Sequence, residues 1–282
     1  MALHRQSELA ALRAEIDRLD DVLHDTLMRR AEVVARIGGL GVKGRSPLRP
    51  GREAAVLRRL LARHSGPMPR SAVARIWREI VAGSSLQQGG FIIAVFNTEP
   101  GTGYLQAARE QYGALTPMRV HRSPAHAIGD VSVGEAVAAI LPLPAEEDGP
   151  GSWWTALMHQ PEDAPRIHVV ARLPFWERRS EAATPAAVVV AAVPPDPSGD
   201  DRTLIAFEAA GDVSRARLIG ALEAAGLTPD TLLRRREGDV LHVLVDCAGA
   251  IPDNDPRLAS LSAFASRPPV VLGSYAVPIR GD

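Results

Sequence analysis

"ELAALRAEIDRLDDVLHDTLMRRAEVVARIGGL", residues 8–40, decides how the rest of the chain is read. Leu9, Leu12, Ile16, Leu19, Leu23 and Leu27 recur at spacings of three and four, which gathers them on one stripe of a helix. A helix this long exceeds the usual globular run, so the stripe needs partners along its length. Gly38, Gly39, Gly41 and Gly44 end it, because glycine is a poor helix former and a good C-cap. Pro47 and Pro50 precede a second helix over about residues 51–64, and a third covers about residues 70–88. Val73, Ile76, Trp77, Ile80 and Val81 form the third helix's expected buried seam. Three helices of unequal length with short connections predict an intertwined helical bundle.

Charge sharpens the picture. The 282-residue chain has a net charge of -1, which argues against a general polyanion-binding surface. Residues 1–89, however, carry 16 Lys and Arg against 9 Asp and Glu. The remainder carries 16 against 24. An anionic ligand is therefore sought in the first third. Lys43 is the single lysine among 32 basic residues, and Cys247 is the single cysteine, which excludes an intrachain disulfide and a cysteine-based metal cluster. No apolar run approaches the ~18–20 residues of a membrane span, and the N-terminus lacks a signal peptide's apolar core. The expectation is a cytoplasmic protein with no nucleic-acid or membrane partner.

Several polar residues fall on otherwise apolar helix faces. Arg30 shares a face with Val34 and Ile37, and an arginine there is costly to bury unless it meets an anion. Arg13 lies on another face, so both reach one ligand only if a second subunit brings one of them. Ser84 and Gln88 are an i, i+4 pair continuing the third helix's seam. Arg52 and Glu53 sit at the positive N-terminus of the second helix.

Residues 7–90 resemble the all-helical class of chorismate mutase through "LRAEIDRLDDVLHDTLMRRAEVVARIG", "RPGREAAVLRRL" and "RIWREIVAGSSLQQ". The resemblance implies a homodimer whose interlocked helices hold the dicarboxylate chorismate and convert it to prephenate, with no cofactor and no metal. It implies a site of Arg13 (reaching into the partner's pocket), Arg30, Arg52 and Ser84 for substrate binding, with Glu53 and Gln88 at the reacting ring. Such a pericyclic step needs a held conformer and stabilised charge on the breaking ether oxygen rather than a covalent catalyst. The family's lysine at the end of the first helix falls on Gly41 here. Lys43 takes that role only if the glycines break the helix, since on a continuous helix it points roughly 160° away. The alternative to a catalyst is a non-catalytic, metabolite-binding regulator of the same pathway.

The rest of the chain alternates strands and helices. "FIIAVF", "MRVHRS", "AAILPL", "IHVVARL" and "AAVVVAAV" read as strands, with "GYLQAAREQYG" and "SWWTALM" as helices between them. "PPDPSGDD", residues 194–201, reads as a linker, and the order after it is βαββαβ, a ferredoxin-like pattern. In outline this is similar to the fused enzymes of phenylalanine biosynthesis, where the mutase precedes prephenate dehydratase and an ACT domain. The expected plan is a mutase domain over residues 1–90, a degenerate dehydratase-like α/β segment over 91–193 and an ACT-like domain over 194–282. The dehydratase's Thr-Arg-Phe text is absent near "TPAAVVV", and the ACT-like part has "LLRRREG" where Glu-Ser-Arg-Pro would stand. His168 and His242 are expected to be satisfied core histidines, and Trp153-Trp154 a packing pair.

Overall fold

A computed structural model describes residues 1–40, 46–98, 103–146, 152–177, 185–210 and 213–281. Two compact units divide it: Met1–Arg45 with Gln87–Gly89, and Ser46–Leu86 with Gly90–Asp282.

The first unit is built on α1 (Ala2–Gly39), about 57 Å long at 1.5 Å per residue. It closes on Leu40, whose backbone N–H donates to the carbonyls of Arg36 and Ile37. The apolar stripe forms as the spacing requires, yet Leu12, Leu19 and Leu23 are 53%, 56% and 61% exposed. Long helices draw most of their stability from packing such a face. Among the described residues this face stays exposed.

The second unit opens with α2 (Pro50–Ala62) and α3 (Arg70–Gln87). A nine-stranded sheet follows. Its strands are β1 (Ile93–Phe96), β2 (Met118–His121), β3 (Ala138–Pro142), β4 (His168–Leu173), β6 (Ala187–Ala191), β7 (Asp201–Ala210), β8 (Pro229–Glu237), β9 (Val240–Ala248) and β10 (Val270–Ala276). β5 (Trp176–Glu177) and β11 (Ile279–Arg280) pair separately. The order is β2-β1-β3-β6-β4-β10-β7-β9-β8. β2, β1 and β3 are parallel, and β6 opens the mainly antiparallel part. Every residue of β6 and the first four of β3 are buried, which explains their unbroken apolar runs in sequence.

The helices are α4 (Tyr104–Tyr112), α5 (Pro124–Ser132), α6 (Trp153–Ala156) and α7 (Arg215–Ala224), with a 3₁₀ segment at Pro256–Ala263. "DPRLASLSAFA" is thus a 3₁₀ segment rather than an α-helix. α5 was not legible: "PAHAIGDVS" has only two buried residues, Ala127 and Val131. The last four long strands lie in the order β10-β7-β9-β8, the ferredoxin-like arrangement expected of βαββαβ. They continue the same sheet as β4 rather than forming one of their own, joined where β10 meets β4 at Gly273 and Val169.

Gly273 makes that junction possible. Its φ is +140°, and a Cβ there would lie 2.1 Å from the Val169 carbonyl oxygen. Gly273→Ala is expected to cost about 2–3 kcal/mol from backbone strain and the clash with fixed main chain. Urea unfolding measures it, and a midpoint equal to wild type would refute the account.

α2 and α3 bury Ala54, Leu57, Leu61, Val73 and Ala74 against Phe175 and Ala276. The seam of α3 differs from the expected one. Ile76 is 43% exposed, while Ala74, Ala82 and Ser85 are buried. Small residues win because the neighbouring chain comes close: a Cβ on Gly113 would lie 2.6 Å from that of Ala82.

Candidate functional site

The N-terminus of α2 carries the first group of candidates. Pro50 supplies the preset φ of a first helical residue. Asp196 then acts as the helix's anchoring carboxylate: Oδ2 accepts from the Arg52 backbone N–H at 3.1 Å. Arg49 grips the same carboxylate through two bonds, of 3.0 and 3.2 Å. The Arg49 guanidinium is held slightly more basic than usual by that bond. Gly51 lets the two segments meet, since a Cβ there would fall 1.6 Å from the Asp196 carbonyl oxygen. Arg58 adds bonds to the Ser198 hydroxyl and to the Asp200 and Val277 carbonyls. The stretch read as a linker, residues 194–201, is therefore a docking segment for α2. The Arg52 side chain itself is exposed.

Glu53, one residue on, is turned inward. Its Oε2 accepts from Arg78 Nη1 at 3.0 Å, and both side chains are about one-tenth exposed (10% and 12%). The Arg78 guanidinium lies 5.1 Å from the centre of the Phe175 ring. Burial raises the Glu53 carboxyl above the usual carboxylate range, and Arg78 opposes the shift. Burial also pushes the Tyr112 hydroxyl far up, with the Glu53 charge adding to it.

In the first unit, residues 87–89 lie along α1. Gln87 Nε2 donates to the Ala31 carbonyl at 3.3 Å, and Gln88 Cγ lies 3.8 Å from where a Cβ on Gly38 would be. Arg30 and Gln88 thus belong to one compact unit, and both are exposed. Arg13 is 17 residues before Arg30, about 26 Å along the helix axis, so the two cannot grip one small molecule from the same chain. Ser84 is part-buried and donates its hydroxyl to the Ile80 carbonyl at 2.7 Å. Lys43 and Gly41 lie outside the described residues.

Residues 12–89 match the family model described as chorismate mutase type II. The resemblance read from the helical motifs therefore holds. Two curated relatives are similar over a longer stretch, both named bifunctional chorismate mutase/prephenate dehydratase. The one from Pseudomonas aeruginosa is 30% identical over 151 residues, 51% of this chain and 41% of its own length. The one from Neisseria gonorrhoeae is 36% identical over 101 residues, 36% of this chain and 27% of its own. The chain thus spans less than half the length of these relatives. Among solved structures, a prephenate dehydratase from Streptococcus mutans aligns at 16% identity over 67% of this chain and 99% of that one, with a TM-score of 0.47.

Within the mutase-type segment, sequence reasoning missed Arg78. It sits on the row Ala74, Arg78, Ala82, and a charge at i+4 from two small residues was the available signal. Trp154 is fully buried, as a packing residue should be. His242 is buried, and its Nδ1 finds no hydrogen-bond partner among the described residues. Among the described residues, no group of three His, Cys, Asp or Glu side chains could hold a metal ion, and no helix is long and apolar enough to cross a membrane.

Proposed function

We propose that this chain is a chorismate mutase that rearranges chorismate to prephenate without a cofactor, acting as a homodimer through α1. The observation that carries the reading is the family match over residues 12–89, together with Arg30 and Gln88 in one compact unit. Arg30 and Arg52, with Arg13 of the partner subunit, supply forked guanidinium donors to the two carboxylates. Ser84 adds a hydroxyl at the same end. Gln88 and Lys43 donate to the ether oxygen as charge develops there. Glu53 accepts from the ring hydroxyl once its carboxylate leaves Arg78. The purified protein is expected to consume chorismate, and Lys43→Ala is expected to slow it strongly. Absence of turnover in wild type would overturn the reading.

The exposed stripe of α1 is the dimer contact in this account. Leu23→Asp places a charge in its centre and is expected to convert dimer to monomer in light scattering, with loss of turnover. A monomeric wild type would exclude the dimer.

One observation favours the second reading, a non-catalytic metabolite-binding regulator: the Glu53 carboxylate is already engaged by Arg78. Calorimetric binding of chorismate with no prephenate formed would establish it in place of the mutase.

A further inference from the structure

A cleft lies in the sheet of the second unit. Leu204 of β7, Leu233 of β8 and Leu244 of β9 join Val188 of β6 in one apolar cluster. Leu143 and Pro144, just after β3, complete the walls of a small open-mouthed cleft. Glu146 holds this segment down, its Oε1 accepting from the Arg215 guanidinium and from the Arg234 backbone N–H at 3.3 Å.

The polar end of the cleft is formed by Arg172, Thr231, Asp246 and Tyr275. Asp246 is well partnered: Oδ1 accepts from Arg202 Nε at 2.9 Å, and Oδ2 accepts from the Tyr275 hydroxyl. Arg172 is not. Its contact to the Tyr275 oxygen is 3.5 Å, at the limit of a hydrogen bond, and no carboxylate pairs with it among the described residues. A half-buried guanidinium above leucine and valine walls is thus left with its fork of donors to offer.

We propose that this cleft binds an amphipathic monocarboxylate, with the carboxylate on Arg172 and an apolar or aromatic body against Leu204, Leu233 and Leu244. The forked donors of arginine match a carboxylate's two oxygens. The inference stands independently of the mutase reading.

Calorimetric titration of the full chain with 3-phenylpropanoate tests it. One-site binding is expected, with the neutral 3-phenylpropanamide weaker by at least about tenfold. Arg172→Gln is expected to weaken 3-phenylpropanoate by a similar factor. Leu233→Trp fills the cleft without touching the cation and is expected to abolish binding. No binding at millimolar acid, equal affinity for acid and amide, or unchanged affinity in either folded variant would overturn the proposal. The acid–amide comparison uses wild-type protein, so it decides the question even if a variant fails to fold.

Discussion

Gln88→Ala is expected to lower kcat for chorismate by about 10²–10³-fold, the usual cost of removing one donor aimed at a developing charge. As the ether bond of chorismate breaks, its oxygen gains negative charge that it lacks in the bound ground state. A donor meeting that oxygen therefore binds the transition state more tightly than the substrate, and its loss falls on kcat. In the proposed site Arg30 has a different role, because chorismate's carboxylate is charged throughout. Arg30→Ala is expected to lower kcat/KM by about the same factor, with much of the loss in KM. Arg30→Lys keeps the charge but loses the fork, so it is expected to recover only part of the deficit. Steady-state kinetics on the three variants separates these roles. Normal kinetics in both Gln88→Ala and Arg30→Ala would remove the assigned site.

Elements with one strong period were legible, and those decided by contact were not. α1 announces itself through six leucines and isoleucines on one stripe, and β3 and β6 through unbroken apolar runs. The four-strand order of the C-terminal part follows from its element order. What could not be read was which neighbour each face meets. Asp196 lies in a Pro, Asp and Gly stretch that looks like a tether, and only the fold shows it bound to Arg49 and to the start of α2. Glu53 and Arg78 are 25 residues apart in sequence, and nothing local marks them as partners. The cleft at Arg172 draws its lining from six strands, so no single motif carries it. The candidate site is intermediate. Its residue types and spacings are visible, but the inward turn of Glu53 depends on Arg78 of α3 meeting it.

That inward turn leads to the second large effect. Arg78→Met is expected to destabilise the protein by about 3–5 kcal/mol at neutral pH, because it leaves a buried carboxylate with no counter-charge. Glu53→Leu combined with Arg78→Met removes both charges, and is expected to recover most of that loss, since apolar side chains of similar size suit the same space. pH separates this account from a simple packing defect. In Arg78→Met, Glu53 holds its proton more tightly folded than unfolded, in the direction that burial already shifts it. A carboxyl raised on folding gives stability that is fully present below its unfolded value, about 4.3, and lost as pH rises through the folded value. The variant should therefore lie closer to wild type at pH 5 than at pH 7.5 in urea unfolding, whereas the double variant should show no such extra slope. A double variant as unstable as Arg78→Met, with the same deficit at both pH values, would mean that Arg78 matters through its stem and its stacking on Phe175 rather than as the partner of Glu53.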